Sequence, residues 1–450
     1  MLAPGPGPTD DRGADDPVVW DPTSVWVRWL LVVLTAVVLP TVLVAFAVVR
    51  SPAFSPLDEP VHADYLRRIE AGEVPRVGDK VLLETVRDVQ CRTVRGHTNA
   101  PCGLPLEEYF PDMLGAAGYQ YEAQQPPLYY AVTAVVRPLA TIGPADEFVT
   151  TARLVGAAWL SAGLLVFWVA ARRLGCGWWA TALLAALLAL SPGVLHQAAT
   201  VNNDAAAVLT GSLAVLMFAS LRERASPLVA VGWGAVAVAL VMIKPTGIIS
   251  VAAAGAALLL DAALDRRLQL RAAVLYVVPV VAGLAAYLAW GQIRDARATV
   301  DYDIVLDALL SFKKVDSLPL DDVVATVSRL TAASAAGSPV APNYVTGPAL
   351  LVVYVLLAAS IATLWVPRLG SAAQRLGSMA VVALVVGGPA FTVLFYIDYS
   401  VEGGPHSRYG LSLLPLLAAA AAAVSRTRRS IVVLAALVAL MLGATSAALA

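Results

Sequence analysis

Charge is scarce in this sequence: Asp, Glu, Lys and Arg fill only 14% of its 450 positions, and there are three cysteines and four histidines. So few soft ligands, without structural zinc spacing, exclude a zinc-stapled fold. A formal net charge of −1 leaves no basic balance for a nucleic-acid partner. Lysine is scarce beside arginine while Ala and Val dominate, the composition of a GC-rich bacterial genome. No internal repeat of the kind that marks many secondary transporters is visible. The first apolar run lacks a small-residue cleavage site and is long enough to span, so it reads as an anchor and not a removed signal.

What the chain has is apolar length. Hydrophobic residues make up 59% of it, with a mean hydropathy of +0.73. That predicts an all-α, polytopic transmembrane helical bundle. Spans are expected at roughly 26–49, 150–171, 178–195, 203–221, 227–243, 246–262, 272–292, 345–366, 377–398, 409–424 and 431–449, about eleven in all. Residues 1–25 read as a disordered cytoplasmic tail and 26–450 as a single membrane domain. Two large loops interrupt it, 50–149 and 293–344; in the second, 304–312 and 323–332 alternate like surface-lying helices.

The apolar stretch 126–140 is short for a span and carries Arg137-Pro138. If it does not cross, Arg172/Arg173, Arg222/Arg224, Arg266/Arg267/Arg271, Arg368/Arg375 and Arg426/Arg428/Arg429 share one side, as the positive-inside bias requires. It is therefore read as an embedded helix, with the N-terminus cytoplasmic and both large loops extracytoplasmic.

In that orientation the uncommon polar residues share the outer face. Asp58, Glu59 and His62 follow the first span, and Glu122 with Gln125 precede the embedded helix. Asp204 opens the fourth span, Lys244 lies in the turn after the fifth, and His406, Arg408 and Tyr409 precede the tenth. An acidic pair at the membrane edge is a candidate for chemistry, and a guanidinium at a span's start can grip phosphate oxygens by its fork. Structural readings stand beside these: Asp58 and Asn202 as helix N-caps, Lys244 snorkelling to headgroups, Tyr409 and Arg408 as an interfacial anchor. Asp58, Glu59, His62 and Asp204 are candidates for a divalent metal ion, which neither spacing nor ligand count demands. Cys91 and Cys102, in an outer loop, are expected to form a disulfide.

Several motifs resemble the GT-C glycosyltransferases, multispan enzymes that use sugars carried on polyprenyl phosphate. Leu57-Asp58-Glu59-Pro60-Val61-His62 resembles their first acidic motif, and Gln124-Gln125-Pro126-Pro127-Leu128-Tyr129-Tyr130 their Pro-Pro-Leu-Tyr-Tyr segment. Ala152-Arg153-Leu154 and Ala171-Arg172-Arg173-Leu174 are similar to the ends of the next span. Leu190-Ser191-Pro192 with Asn203-Asp204 is similar to the second outer turn, and Ser407-Arg408-Tyr409 with Leu414-Pro415 to a Gly-Arg-Tyr…Leu-Pro motif of uncharacterised members. A serine stands before Arg408 where glycine is usual.

The resemblance implies a bacterial inner-membrane enzyme with an extracytoplasmic site. It would transfer a sugar from a polyprenyl-phosphate donor to an envelope glycan, lipid or protein acceptor by an inverting single displacement. Asp58 is the implied base, with Glu59 as runner-up or partner; Arg408, Lys244, His406 and Tyr409 would hold the donor phosphate. Asp204, His62, Glu122 and Gln125 would serve the acceptor or play auxiliary roles, and 293–344 could form a lid. The rival readings are a lipid-linked substrate transporter or flippase, which favours ionisable groups at mid-membrane, and a sugar-polymer polymerase or ligase.

Overall fold

The computed structural model describes residues 21–22, 24–94, 102–140, 147–264, 270–309, 313–327, 329–332, 343–365, 371–402 and 405–449. Most of the expected tail, His97, Arg266, Arg267, Arg368 and 333–342 lie outside the described residues. In chain order the helices are α1 (Val25–Arg50), α2 (Glu59–Glu70), α3 (Leu83–Arg92), α4 (Leu128–Val136), α5 (Phe148–Arg173) and α6 (Trp178–Leu190). They continue with α7 (Pro192–Ala198), α8 (Ala207–Glu223), α9 (Pro227–Ile243), α10 (Ile248–Leu264), α11 (Leu270–Arg297) and α12 (Tyr302–Ala308). The last are α13 (Leu320–Ala325), α14 (Asn343–Trp365), α15 (Ser371–Tyr399), α16 (Leu414–Val424) and α17 (Arg428–Leu449). Among the described residues two short strands, β1 (Lys313–Lys314) and β2 (Val401–Glu402), pair antiparallel.

Eight helices among the described residues are long and apolar enough to cross a membrane, nine if α6 and α7 form one span bent by 64°. The bend follows from Ser191-Pro192: the proline lacks an amide hydrogen and starts a new helix at its first turn. The shorter apolar helices Pro227–Ile243 and Gly347–Ile361 lie at two further expected spans, so about eleven crossings are compatible with the fold. Large apolar side chains such as Trp26, Val49, Leu228 and Leu270 are exposed, as lipid-facing side chains are.

Residues 106–113 form two 3₁₀ turns, Leu106–Glu108 and Pro111–Met113, because Pro105 and Pro111 interrupt any longer hydrogen-bond ladder. Residues 323–332 likewise divide between the end of α13 and a 3₁₀ turn at Arg329–Ala332. The stretch 126–140 forms α4 and a 3₁₀ turn that buries Tyr129, Tyr130 and Thr133. Cys91 and Cys102 are disulfide-bonded.

Two ends of the bundle differ chemically. At one, Arg173 donates to Ser220 Oγ (3.0 Å), and Arg222 (3.2 Å) and Arg375 both pair with Asp261. At the other, the 3₁₀ turns Asn203–Ala206, Pro245–Gly247 and Ser407–Leu413 enter α8, α10 and α16. Gly211 brings one of these turns against α8. A Cβ there would sit 2.0 Å from the Ser412 carbonyl oxygen, so only glycine lets the Ser407–Leu413 turn approach α8 so closely. Ser250 Oγ donates to Ser412 Oγ (2.7 Å), fixing α10 to the same turn.

Candidate active site

The site is built on the segment between α1 and α2. Arg153, one turn into α5, reaches back into it fully buried: its Nη1 and Nη2 donate to the carbonyls of Ser51 (2.5 Å) and Ala53 (2.8 Å). Its Nε and Nη2 also form a fork on Glu59, at 2.6 and 2.7 Å. Glu59 accepts two further bonds, from Ser55 N (2.7 Å) and Val201 N (2.9 Å). Each carboxylate oxygen therefore holds two donors, and the side chain has no exposed surface. Glu59 thus ties three chain segments together and has no free oxygen for a substrate proton. The role of Arg153 is absent from the sequence reading. Its signal was an arginine near the start of an apolar helix, which demands a partner.

Asp58 points the other way. It sits in the left-handed region (φ 61°), which aspartate tolerates better than most residues, and its side chain does not cap α2. Instead Oδ2 accepts from Arg408 Nη2 (2.6 Å) and Oδ1 from Tyr121 OH (3.1 Å), with the side chain 26% exposed. Burial alone would raise its pKa, but the charge and hydrogen bond of Arg408 outweigh burial and hold it below the usual carboxylate range.

Arg408 is shared. Its Nε lies 3.4 Å from Asp204 Oδ2, and Nε and Nη1, both buried, have no hydrogen-bond acceptor. Asp204 is placed by Asn202, whose side chain caps the 3₁₀ turn by accepting from Asp204 N (2.8 Å). Lys244 pairs with Asp204 and donates to Asn203 Oδ1 (3.0 Å); burial lowers its pKa. The Tyr409 ring lies beneath both cations, 5.2 Å from Lys244 Nζ and 5.8 Å from the Arg408 guanidinium carbon. Gln125 Oε1 accepts from Asn203 Nδ2 (3.1 Å).

Behind this array lies Glu122, buried, with Oε2 unpartnered and Oε1 3.8 Å from His62 Nε2. Burial first, then the Asp58 charge, push its carboxyl up to about 8. His62 is driven by burial down to about 3 and shares a proton with Tyr130 OH at 2.7 Å. Glu122 and His62 are therefore both neutral at pH 7, and their 3.8 Å approach is not an ion pair. His406 lies at the rim, its pKa lowered by partial loss of solvent and then by the charge of Arg408.

The end of α11, the segment after it and the start of α12 are tied to the loops around the site. Trp290 donates to the Gln124 carbonyl (2.8 Å), Tyr302 OH to Gln124 Oε1 (2.5 Å), and Thr299 N to the Val77 carbonyl (2.9 Å). From the Lys244 turn an apolar groove of about 450 Å³ runs between α10, α11 and α15. It opens at Pro245-Thr246 and is walled by residues such as Ala252, Tyr287, Val386 and Phe391; the Phe391 ring lies 5.8 Å from that of Tyr409.

The four metal candidates do not fit one ion. Glu59 is consumed by Arg153, Asp58 is held by Arg408 and Asp204 by Lys244. Among the described residues no group of three or more His, Cys, Asp or Glu is placed to hold a metal.

No family model and no curated protein matches the chain. Among solved structures, that of ArnT from Cupriavidus metallidurans bound to undecaprenyl phosphate matches 89% of this chain at 19% identity, with a TM-score of 0.46. The match takes in 60% of that chain, so the present sequence spans less than two thirds of its length.

Proposed function

We propose that the protein is a membrane glycosyltransferase of the GT-C type. It moves a sugar from a polyprenyl phosphate to a hydroxyl acceptor on the outer face of a bacterial inner membrane. The observation that carries this reading is the junction of two unlike surfaces. An apolar groove ends beside Lys244, next to a guanidinium that retains two buried N–H-bearing nitrogens without acceptors and touches a partly exposed carboxylate. A long isoprenoid chain with a phosphate at its end matches the first surface, and a hydroxyl proton the second.

In the reaction, Asp58 takes the acceptor hydroxyl proton as the acceptor oxygen bonds to the anomeric carbon. The bond from that carbon to the phosphate oxygen breaks, and its electron pair leaves with the polyprenyl phosphate, so the anomeric centre inverts. Arg408 and Lys244 receive the phosphate charge in a site with little water. Donor binding also prepares the base: a phosphate on Arg408 competes for the charge that depresses Asp58, which raises its basicity when it is needed. Glu59 is assigned a positioning role, holding the segment that carries Asp58. Asp204 keeps the two cations in place until the phosphate arrives.

The transporter reading needs ionisable groups along a path across the membrane, whereas these gather at one end of the bundle. The test is donor binding. Polyprenyl phosphate added to purified protein raises the melting temperature of wild type, and the rise is lost in Ala252→Trp, which fills the groove, and in Arg408→Gln. An equal rise in all three proteins rejects the assignment.

A further inference from the structure

We propose that a second cavity, at the start of the Ser407–Leu413 turn, binds the acceptor, and that the acceptor is a polyol or sugar carrying a phosphate or carboxylate beside its hydroxyls. The inference rests on the glycosyltransferase reading and adds the substrate class that reading leaves open. The cavity measures about 460 Å³ and is lined by Arg329, Thr331, Tyr354, Pro405, His406 and Ser407, together with Ala332.

Position is the first argument. The apolar groove meets the Ser407–Leu413 turn through Phe391 against Tyr409, while the second cavity meets it through Pro405, His406 and Ser407. Arg408, with Asp58 on its Nη2, lies between Ser407 and Tyr409. His406, which lines the second cavity, lies within electrostatic reach of both Asp58 and Arg408, so an acceptor held there stands close to the pair assigned to the chemistry. A single-displacement transferase needs two such approaches, one for the leaving group and one for the nucleophile.

Chemistry is the second. The groove is walled almost wholly by apolar side chains, whereas this cavity offers a guanidinium, an imidazole and three hydroxyls, and among the described residues no carboxylate lines it. A guanidinium grips phosphate or carboxylate by its fork. Tyr354, 56% exposed, presents an aromatic face of the kind on which a sugar or polyol ring can rest.

Preorganisation is the third. The wall that carries Arg329 is docked on α15: Thr326 and Thr392 share a hydroxyl hydrogen bond (3.1 Å), and Leu330 is fully buried. At Gly388 a Cβ would stand 2.1 Å from the Thr326 carbonyl oxygen, so glycine is what admits this contact. A cavity formed before binding loses less affinity to ordering.

The test uses full-length protein in nanodiscs loaded with polyprenyl phosphate and measures binding of tritiated inositol 1-phosphate, with tritiated inositol as the uncharged control. Wild type binds the phosphate form at least about tenfold more tightly than inositol, the worth of one charge-assisted fork. Arg329→Gln abolishes the difference, Arg329→Lys restores part of it, and all three proteins keep the same melting-temperature rise with polyprenyl phosphate. A parallel arm places phosphatidylinositol in the nanodisc. Competition by this lipid supports the site and makes the acceptor lipid-borne; binding of the free phosphate without such competition supports it and makes the acceptor a soluble glycan. Equal binding of inositol and its phosphate, or an unchanged ratio in Arg329→Gln, overturns the inference alone. Absence of any polyprenyl phosphate effect on wild type overturns the glycosyltransferase reading beneath it.

Discussion

Glu59→Gln and Asp58→Asn are neighbouring, isosteric changes with opposite expected signatures. In Glu59→Gln the Arg153 guanidinium remains buried against two carbonyls with no negative charge. Breaking a buried ion pair from one side costs about 3–5 kcal/mol, because an uncompensated charge stays in the interior. For a chain of this size that corresponds to a fall in melting temperature on the order of 3–5 °C. Glu59→Gln with Arg153→Gln removes both charges and recovers at least about half of the loss, the non-additivity expected of direct partners. Asp58→Asn, at a partly exposed position whose partner Arg408 still faces Asp204, shifts melting far less while stopping transfer. Thermal melting of detergent-purified protein, followed by tryptophan fluorescence, reads all four proteins. If Glu59→Gln melts with wild type and is inactive, Glu59 is a chemical group and its assignment to positioning is refuted.

Glu122 carries a sign that can be worked out. Its pKa in the folded chain, about 8, lies above the unfolded value, so its contribution to stability is full below about pH 4.5 and is lost as pH rises through 8. Ionisation there also adds negative charge beside the phosphate site, so donor affinity should fall above pH 8 in wild type and stay level in Glu122→Gln; parallel profiles refute this. Arg408→Lys keeps a charge but not a fork that spans Asp58 and Asp204, and should lower turnover about 100-fold or more, measured at saturating donor; near-normal turnover contradicts the shared-guanidinium geometry.

Much of the architecture is legible in the sequence because membrane-spanning length is a one-dimensional property. The runs 150–171 and 203–221 reappear as Phe148–Arg173 and Asn203–Glu223, and the basic turns meet at one end through Arg173, Arg222 and Arg375. The gathering of Asp58, Asp204, Lys244 and Arg408 was legible for the same reason: alternating crossings return turns to the same face. What the sequence could not give is which way each side chain turns. Asp58 and Glu59 are adjacent and chemically alike, and only the left-handed backbone at Asp58 sends one to the open site and the other to Arg153. The network around Asp64, which accepts from Leu82 N (2.7 Å), Thr85 Oγ1 (3.0 Å), Arg68 and Gln120, was equally hidden, since its partners lie 4 to 56 residues away. The bonds that tie Trp290, Thr299 and Tyr302 to Gln124 and Val77 were hidden for the same reason, since those partners lie far away in sequence.

The central claim is sugar transfer from polyprenyl phosphate with Asp58 as base. Its most direct test supplies a panel of radiolabelled polyprenyl-phosphate sugars and crude envelope acceptor to wild type and to Asp58→Asn of matched melting temperature. The account predicts label in the acceptor with wild type and at least about a hundredfold less with Asp58→Asn. Equal transfer by the two proteins would contradict it.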